Sequence, residues 1–410
     1  MRVIHLTRTT VAETVGGLEY HIAYLTEALR NRGHEVDIVH TKQRRGAVEQ
    51  DRAERSRPPL KLRLGSRIPA CMDLGRKVVD RVLHNWDAWG VARQVHKLRP
   101  DIVHQHNYLN GILTSWLLSR NYPVVFTNHT GAYLYLDRWP ATRGVQRKLM
   151  NLFTAVIAPS RELLPATANS HYIPNGVDTS VFYPVSEPER KRLREKWKCE
   201  GKFVFICPRR WAPTKGIINL AKTLAFLSPE VRKKSLFLFA GNETPGYEQY
   251  QRSVADTLRG VDEVRVLGNV GHSELAELMN ASDVCVIPSL MEATSLACLE
   301  AMACGTVVLG TATGGLTELI RDGENGWLVP PGDVGALHAA IQRIASTSAA
   351  EIEPMRKEAL ALRDLYTWGM VAARTESVYS LALQQCGKKR AVPGAAPRSA
   401  KELAANINPF

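Results

Sequence analysis

The 410-residue chain has no apolar run near the ~18 residues needed to span a bilayer. Met1-Arg2 leads straight into a strand-like VIHL, without the shape of a signal peptide. Cysteine is sparse: seven residues, at 71, 199, 207, 285, 298, 304 and 386, are scattered and never spaced Cys-x-x-Cys. That pattern excludes a disulfide framework or zinc ribbon and predicts a reduced, cytoplasmic protein. There is no low-complexity tract and no Asp-x-Asp to hold a divalent metal. The first strand-to-helix turn, TRTTVAETVGGLEY, lacks G-x-G-x-x-G, which argues against a dinucleotide oxidoreductase.

What is present is an excess of positive charge. Lys and Arg number 53 against 40 Asp and Glu, a net +13. Residues 1–186 hold 25 basic and 15 acidic side chains, and residues 42–81 hold 12 and 5. Such a field draws anionic partners, either a membrane surface or a phosphorylated substrate. Aromatic residues are too sparse in that stretch for base stacking, so no nucleic acid is expected.

Strand-like and helix-like segments alternate along the chain. RVIHL, EVDIVH, DIVHQHN, VVFTNHT and AVIAPS read as buried strands, and YIPNGVD as a strand end and turn. A second series runs through KFVFICPRR, SLFLFAGN, EVRVLGNV, DVCVIPS, TVVLGT and GWLVPPGD. The pattern predicts an α/β protein of two doubly wound, Rossmann-like domains with a cleft between them. The expected limits are 1–184 for an amino-terminal domain with a basic insert at 42–81. A linker at 185–200 follows, then a second domain at 201–367. A last helix spans 368–386, and 387–410 form a mobile tail.

One stretch carries most of the chemistry: SLMEATSLACLEAMACG, residues 289–305. It follows the buried strand DVCVIP, at the end of a parallel sheet where ligands meet the next helix. Thr294 and Ser295 suit an N-cap, Leu296 to Ala303 suit a helix, and Gly305 suits its stop. The free N–H groups around Ser295 to Ala297 form an anion site. Glu292 then lies outside the helix mouth and Glu300 more than a turn inside it.

The E-x7-E spacing followed by AMACG, a glycine pair and DGENG resembles the donor site of retaining GT-B glycosyltransferases of family 4. VGGLEYHIAYLTEALRNRGHEV, DIVHQHN, TNHTG, APS, IPNGVDTSVFYP and PRRWAPTKGI follow in the family's order, so the resemblance spans roughly residues 1–385. It implies that the first domain, 1–184, binds acceptor, that the second, 201–367, binds the nucleotide sugar, and that the helix at 368–386 crosses back to the first domain. It also implies that Arg210 and Lys215 clamp the donor diphosphate and that Glu300 binds ribose hydroxyls. Glu292 and His129 are implied at the donor sugar. Thr294, Ser295 and Leu296 are implied at the nucleotide, as are Gly16 and Gly17, which let backbone approach phosphate. Thr313, Gly314, Gly315 and Glu318 flank the base or phosphate. His104 and His106 lack a third ligand, so no metal is assigned. The chain departs from the family pattern at Ala293-Thr294-Ser295, which replaces a glycine-rich run, and at Arg209, which replaces a glycine.

The resemblance implies metal-independent transfer of a hexose, with retention, from a nucleoside-diphosphate sugar, UDP preferred to GDP. The expected acceptor is lipid-linked, a glycan or otherwise anionic, and the enzyme peripheral on the inner face of the cytoplasmic membrane through residues 42–81. No cofactor is expected. The alternatives are a nucleotide-sugar epimerase or phosphorylase on the same scaffold, or an inactive anionic-surface-binding module.

Overall fold

A computed structural model describes residues 1–8, 16–41, 87–107, 111–129, 133–134, 140–241 and 246–390. The basic insert at 42–81 and the tail beyond Arg390 lie outside the described residues. The chain divides into two units. The first comprises Met1–Ala158, Leu164–His171 and Ala373 onward; the second comprises Pro159–Leu163 and Tyr172–Ala372.

The first sheet contains β1 (Arg2–Thr7), β2 (Glu35–His40), β3 (Ile102–Gln105), β4 (Val124–Thr127), β5 (Ala155–Ala158) and β6 (Ser170–Tyr172), in the order β2-β1-β3-β4-β5-β6. β1 pairs in parallel with both β2 and β3, and the ladder continues in parallel to β5. The central strands β3, β4 and β5 are short and wholly buried, as a sheet covered on both faces requires. The order reverses between β1 and β3.

The second sheet contains β7 (Phe203–Cys207), β8 (Ser235–Ala240), β9 (Val264–Gly268), β10 (Val284–Ile287), β11 (Val307–Thr311) and β12 (Gly326–Val329), in the order β12-β11-β10-β7-β8-β9. All its registers are parallel. Along β7, Val204 and Ile206 join one apolar cluster while Phe205 and Cys207 join the other, so each face carries its own core. The order reverses between β7 and β10, and at such a switch point the loops leaving the two strands diverge and leave a crevice.

Two expectations need correction. Residues 185–200, read as a linker, form a helix over Glu187–Lys196 inside the second unit. Leu193 is its one buried residue. The helix is held by charge instead: Arg190 and Arg194 meet Asp283 at 2.6 and 3.2 Å, and Lys196 meets Glu277 at 2.5 Å. The last helix also runs further than 386, over Trp368–Arg390, and passes from the second unit to the first at Ala373. In the first unit Tyr379 is fully buried, and its Oη lies 2.7 Å from His104 Nδ1.

Candidate donor site and histidine cluster

The helix over Leu296–Ala303 begins as the sequence predicts. Ser295 is its N-cap, and its Oγ accepts from Cys298 N at 3.3 Å. Gly305 follows the last turn at φ 73°, the left-handed conformation that suits glycine. The N–H groups of Leu296 and Ala297, ahead of the Cys298 bond, have no acceptor earlier in the helix, so its mouth carries partial positive charge.

A buried charge cluster lies before that mouth. Arg209 leaves the end of β7, Ser289 and Glu292 follow β10, and Lys215 comes from the short 3-10 turn Pro213–Lys215. Glu292 accepts from Lys215 Nζ at 3.1 and 3.0 Å, from Ser289 Oγ at 3.0 Å and from the Arg209 guanidinium. Arg209 also reaches Ser295 Oγ at 3.3 Å and Ser289 Oγ at 3.2 Å. Its Nε is buried with no partner among the described residues, the kind of unmet donor that ligand sites retain.

Electrostatics set the protonation states. Burial pushes the Glu292 carboxyl up, but Arg209 and then Lys215 outweigh it and hold the pKa near 2. Burial, then the Arg209 charge, lowers Lys215 to about 8 against the pull of Glu292. Glu300 lies inside the helix, buried, and desolvation raises it to about 7 although Arg209 opposes the shift. The Arg209 charge therefore acts on both glutamates of the E-x7-E pair.

Arg209, read from sequence as a departure, is the cation that enters the cluster. Arg210 is exposed and acts on Lys215 only through its charge. The full set of bonds to Glu292 leaves it little capacity for sugar hydroxyls and makes it the counter-ion that positions two cations. Thr294 Oγ1 donates to the Pro159 carbonyl, and Asn175 Nδ2 donates to the Thr294 carbonyl at 3.2 Å, so this residue ties the loop down. Leu296 is half-buried at the helix start.

Glycines bring the surrounding loops close. A Cβ on Gly216, at φ 65°, would stand 1.8 Å from the Pro288 carbonyl oxygen, and one on Gly314 would stand 1.7 Å from that of Glu292. Gly315 N donates to the Ala293 carbonyl at 2.6 Å. The TGG loop thus rests on the Glu292 loop. Beside it, Thr313, Gly314 and Glu318 join Arg161 in lining a cavity of about 380 Å³.

His129, Gly16 and Gly17 belong to the first unit. Gly16 is the extended N-cap of the helix Gly17–Asn31. His129, just past β4, is half-buried, with Nε2 3.3 Å from His106 Nδ1. Around these two lie His5, whose Nδ1 is 3.0 Å from Thr26 Oγ1, and His104, whose Nε2 is 2.6 Å from Thr127 Oγ1. Desolvation leads in lowering His5, His104, His106 and His129, with neighbouring imidazoles adding to it, so all four are neutral near pH 7. His5, His21 and His129 were not visible from sequence as companions of the HQH pair, because only the fold brings β1, the first helix and β4 together.

Comparison with known proteins supplies the family. Residues 15–181 match Glycosyltransferase Family 4, and residues 189–359 match Glycosyl transferases group 1. The chain belongs to the GT-B glycosyltransferases, resembling family 4. This glycosyltransferase is 27% identical to the MMP alpha-(1->4)-mannosyltransferase of Mycolicibacterium hassiacum, over 90% of the chain and 95% of that relative. It is 25% identical to the alpha-maltose-1-phosphate synthase of Mycolicibacterium smegmatis, over 92% and 99%. Among solved structures, sucrose-phosphate synthase from Thermosynechococcus elongatus matches with a TM-score of 0.70 and 24% identity, over 95% of this chain and 100% of that one. HepE of Anabaena in complex with UDP-glucose matches at 0.70 and 20%, over 94% and 100%. Those structures share the GT-B fold. Among the described residues, no helix is long and apolar enough to cross a membrane.

Proposed function

We propose that this glycosyltransferase moves a hexose, with retention, from a nucleoside-diphosphate sugar to an anionic acceptor, and that it needs no metal. The observation that carries the reading is the buried Arg209–Glu292–Lys215 cluster at the switch point of the second sheet, before the mouth of the Leu296–Ala303 helix. Two cations against one carboxylate leave a net positive charge there, and the helix N–H groups add to it. A departing diphosphate gathers negative charge, and this arrangement stabilises it without a divalent ion. Arg210, exposed nearby, supplies further positive field.

Glu300 is the acceptor for the ribose hydroxyls, and Ser295, Leu296 and Ala297 offer backbone N–H groups to phosphate. Gly16 and Gly17 allow backbone approach, and His129 hydrogen-bonds the donor sugar. In the front-face route the departing phosphate oxygen takes the acceptor's proton while Arg209 and Lys215 hold the phosphate. Positioning and electrostatics then supply the acceleration, with no protein nucleophile. UDP is the preferred carrier, in line with the UDP-glucose complex of HepE.

The acceptor is lipid-linked, a glycan or another anion, as the excess of positive charge over residues 1–186 favours. Peripheral docking on the inner face of the cytoplasmic membrane through residues 42–81 rests on their composition.

Incubation with UDP-glucose and candidate phosphorylated or lipid-linked acceptors, in excess chelator, tests the reaction through the anomeric coupling of the product. A product keeping the donor's configuration is expected. Inversion, or turnover that needs added metal, contradicts the reading. Conversion of donor without any acceptor would establish the epimerase alternative.

A further inference from the structure

We propose that His21, His106 and His129 form a binding site for a divalent transition-metal ion of the zinc class. The three come from different elements at the carboxyl ends of the first sheet: His21 from the second turn of the helix Gly17–Asn31, His106 from just past β3, and His129 from just past β4. One ring nitrogen from each lies within 4.8 Å of the other two. The fold thus supplies the third ligand that the HQH pair lacks in the sequence.

One of the three spacings is that of a bound metal. His106 Nδ1 and His129 Nε2 are 3.3 Å apart. Two nitrogens bound to one tetrahedral zinc at about 2.0–2.1 Å are roughly 3.3–3.4 Å apart. Without an ion, this contact lets the two imidazoles share a single proton, and a metal takes that proton's place. Three imidazoles with a fourth position open form the ligand set of an accessible zinc site, and half-buried His129 gives an entry path.

Neighbouring imidazoles make the cluster unusual and narrow the choice of ligands. His5, His104 and His106 also lie within 4.8 Å of one another. Both nitrogens of His104 are engaged, however, with Tyr379 Oη and Thr127 Oγ1. His5 Nε2 and His106 Nε2 are buried with no partner among the described residues, so this region holds polar capacity that the protein alone does not use. An all-imidazole set suits zinc, copper or nickel and not magnesium, which prefers oxygen. The site shares His129 with the donor-sugar contact proposed above, and its test reads metal alone, with no donor present.

The experiment uses the full chain, free of any affinity tag and stripped of metal, titrated calorimetrically with zinc chloride and separately with magnesium chloride. One zinc per chain and no magnesium are expected, with an X-ray absorption first shell of nitrogen at about 2.0 Å. His21→Gln and His129→Gln should each weaken zinc by more than about 100-fold, beyond the 10–100-fold usual for an outer-shell partner. His338→Gln, in the second unit and hydrogen-bonded to the Phe226 carbonyl, should change nothing. Thermal melts establish that each variant folds, and if one does not, the other decides. Absence of stoichiometric zinc, wild-type affinity in a folded variant, or sulfur in the zinc shell would overturn the proposal.

Discussion

Arg209 and Arg210 are adjacent, identical in chemistry and opposite in circumstance. Arg209 is buried against Glu292, Ser289 and Ser295, while Arg210 is exposed. Removing Arg209 leaves Glu292 paired with Lys215 and bonded to Ser289, so the cost is that of lost buried hydrogen bonds and not of an unpaired charge. Arg209→Met should therefore cost about 1–3 kcal/mol in urea melts, whereas Arg210→Met should cost within about 0.5 kcal/mol. Equal effects would refute the assignment of the buried cation. Lys215 gives a test by pH. Because its ammonium is held down near 8, diphosphate affinity should fall above that pH as the proton leaves, a limb distinct from the change near 7 where the Glu300 carboxyl titrates. Lys215→Arg keeps its charge and should flatten the alkaline limb alone. Calorimetric titration of UDP between pH 6 and about 9.5 reads both curves. The sequence exposed the two glutamates and the lysine because each is a lone charge in a special context. It could not say which arginine faced inward, since that depends on how the backbone leaves β7.

At the scale of elements, the strands and the helix Leu296–Ala303 were legible because burial and capping are written locally: short apolar runs, Ser295 before the helix and Gly305 after it. The helix Glu187–Lys196 was not, because Leu193 is its one buried residue and Arg190 and Arg194 find Asp283 about 90 residues away. Periodicity cannot register a helix held by charges on another segment. The loops around the site are fixed by contact as well as by conformation, and two glycines separate the effects. Gly305 at φ 73° has open space where a Cβ would stand, so Gly305→Ala should cost only the left-handed backbone, about 1–2 kcal/mol. Gly216 at φ 65° meets the Pro288 carbonyl oxygen at 1.8 Å, so Gly216→Ala must also displace the loop that carries Ser289 and Glu292. It should be the more destabilising of the two in thermal melts, and it alone should weaken UDP binding.

Across the whole molecule, two sheets each reverse strand order at one point, and each reversal gathers chemistry: the charge cluster between β7 and β10, the histidines around β1 and β3. The doubly wound class could be read from the alternation of strands and helices. The limits of the units were legible only in part: the resemblance implied that the last helix returns to the first unit, but nothing local marked that Pro159–Leu163 and the stretch from Tyr172 belong to the second. That return is anchored by Tyr379, whose hydroxyl meets His104 across 275 residues of sequence. Tyr379→Phe strands a buried imidazole nitrogen and should cost about 1–3 kcal/mol, measured as the shift of an unfolding transition that leaves the second unit's apolar cores intact. No local signal in the sequence pairs these two residues.

The central claim is that the second unit holds the nucleoside diphosphate of a donor sugar through Glu300 and the Arg209–Lys215 pair. Calorimetric binding of UDP, GDP and ADP, without added metal, to wild type and Glu300→Ala tests it most directly. The account predicts that one diphosphate, UDP first, binds at about micromolar strength and that the variant loses about 1–3 kcal/mol. Absence of binding by all three, or equal binding by the variant, would contradict it.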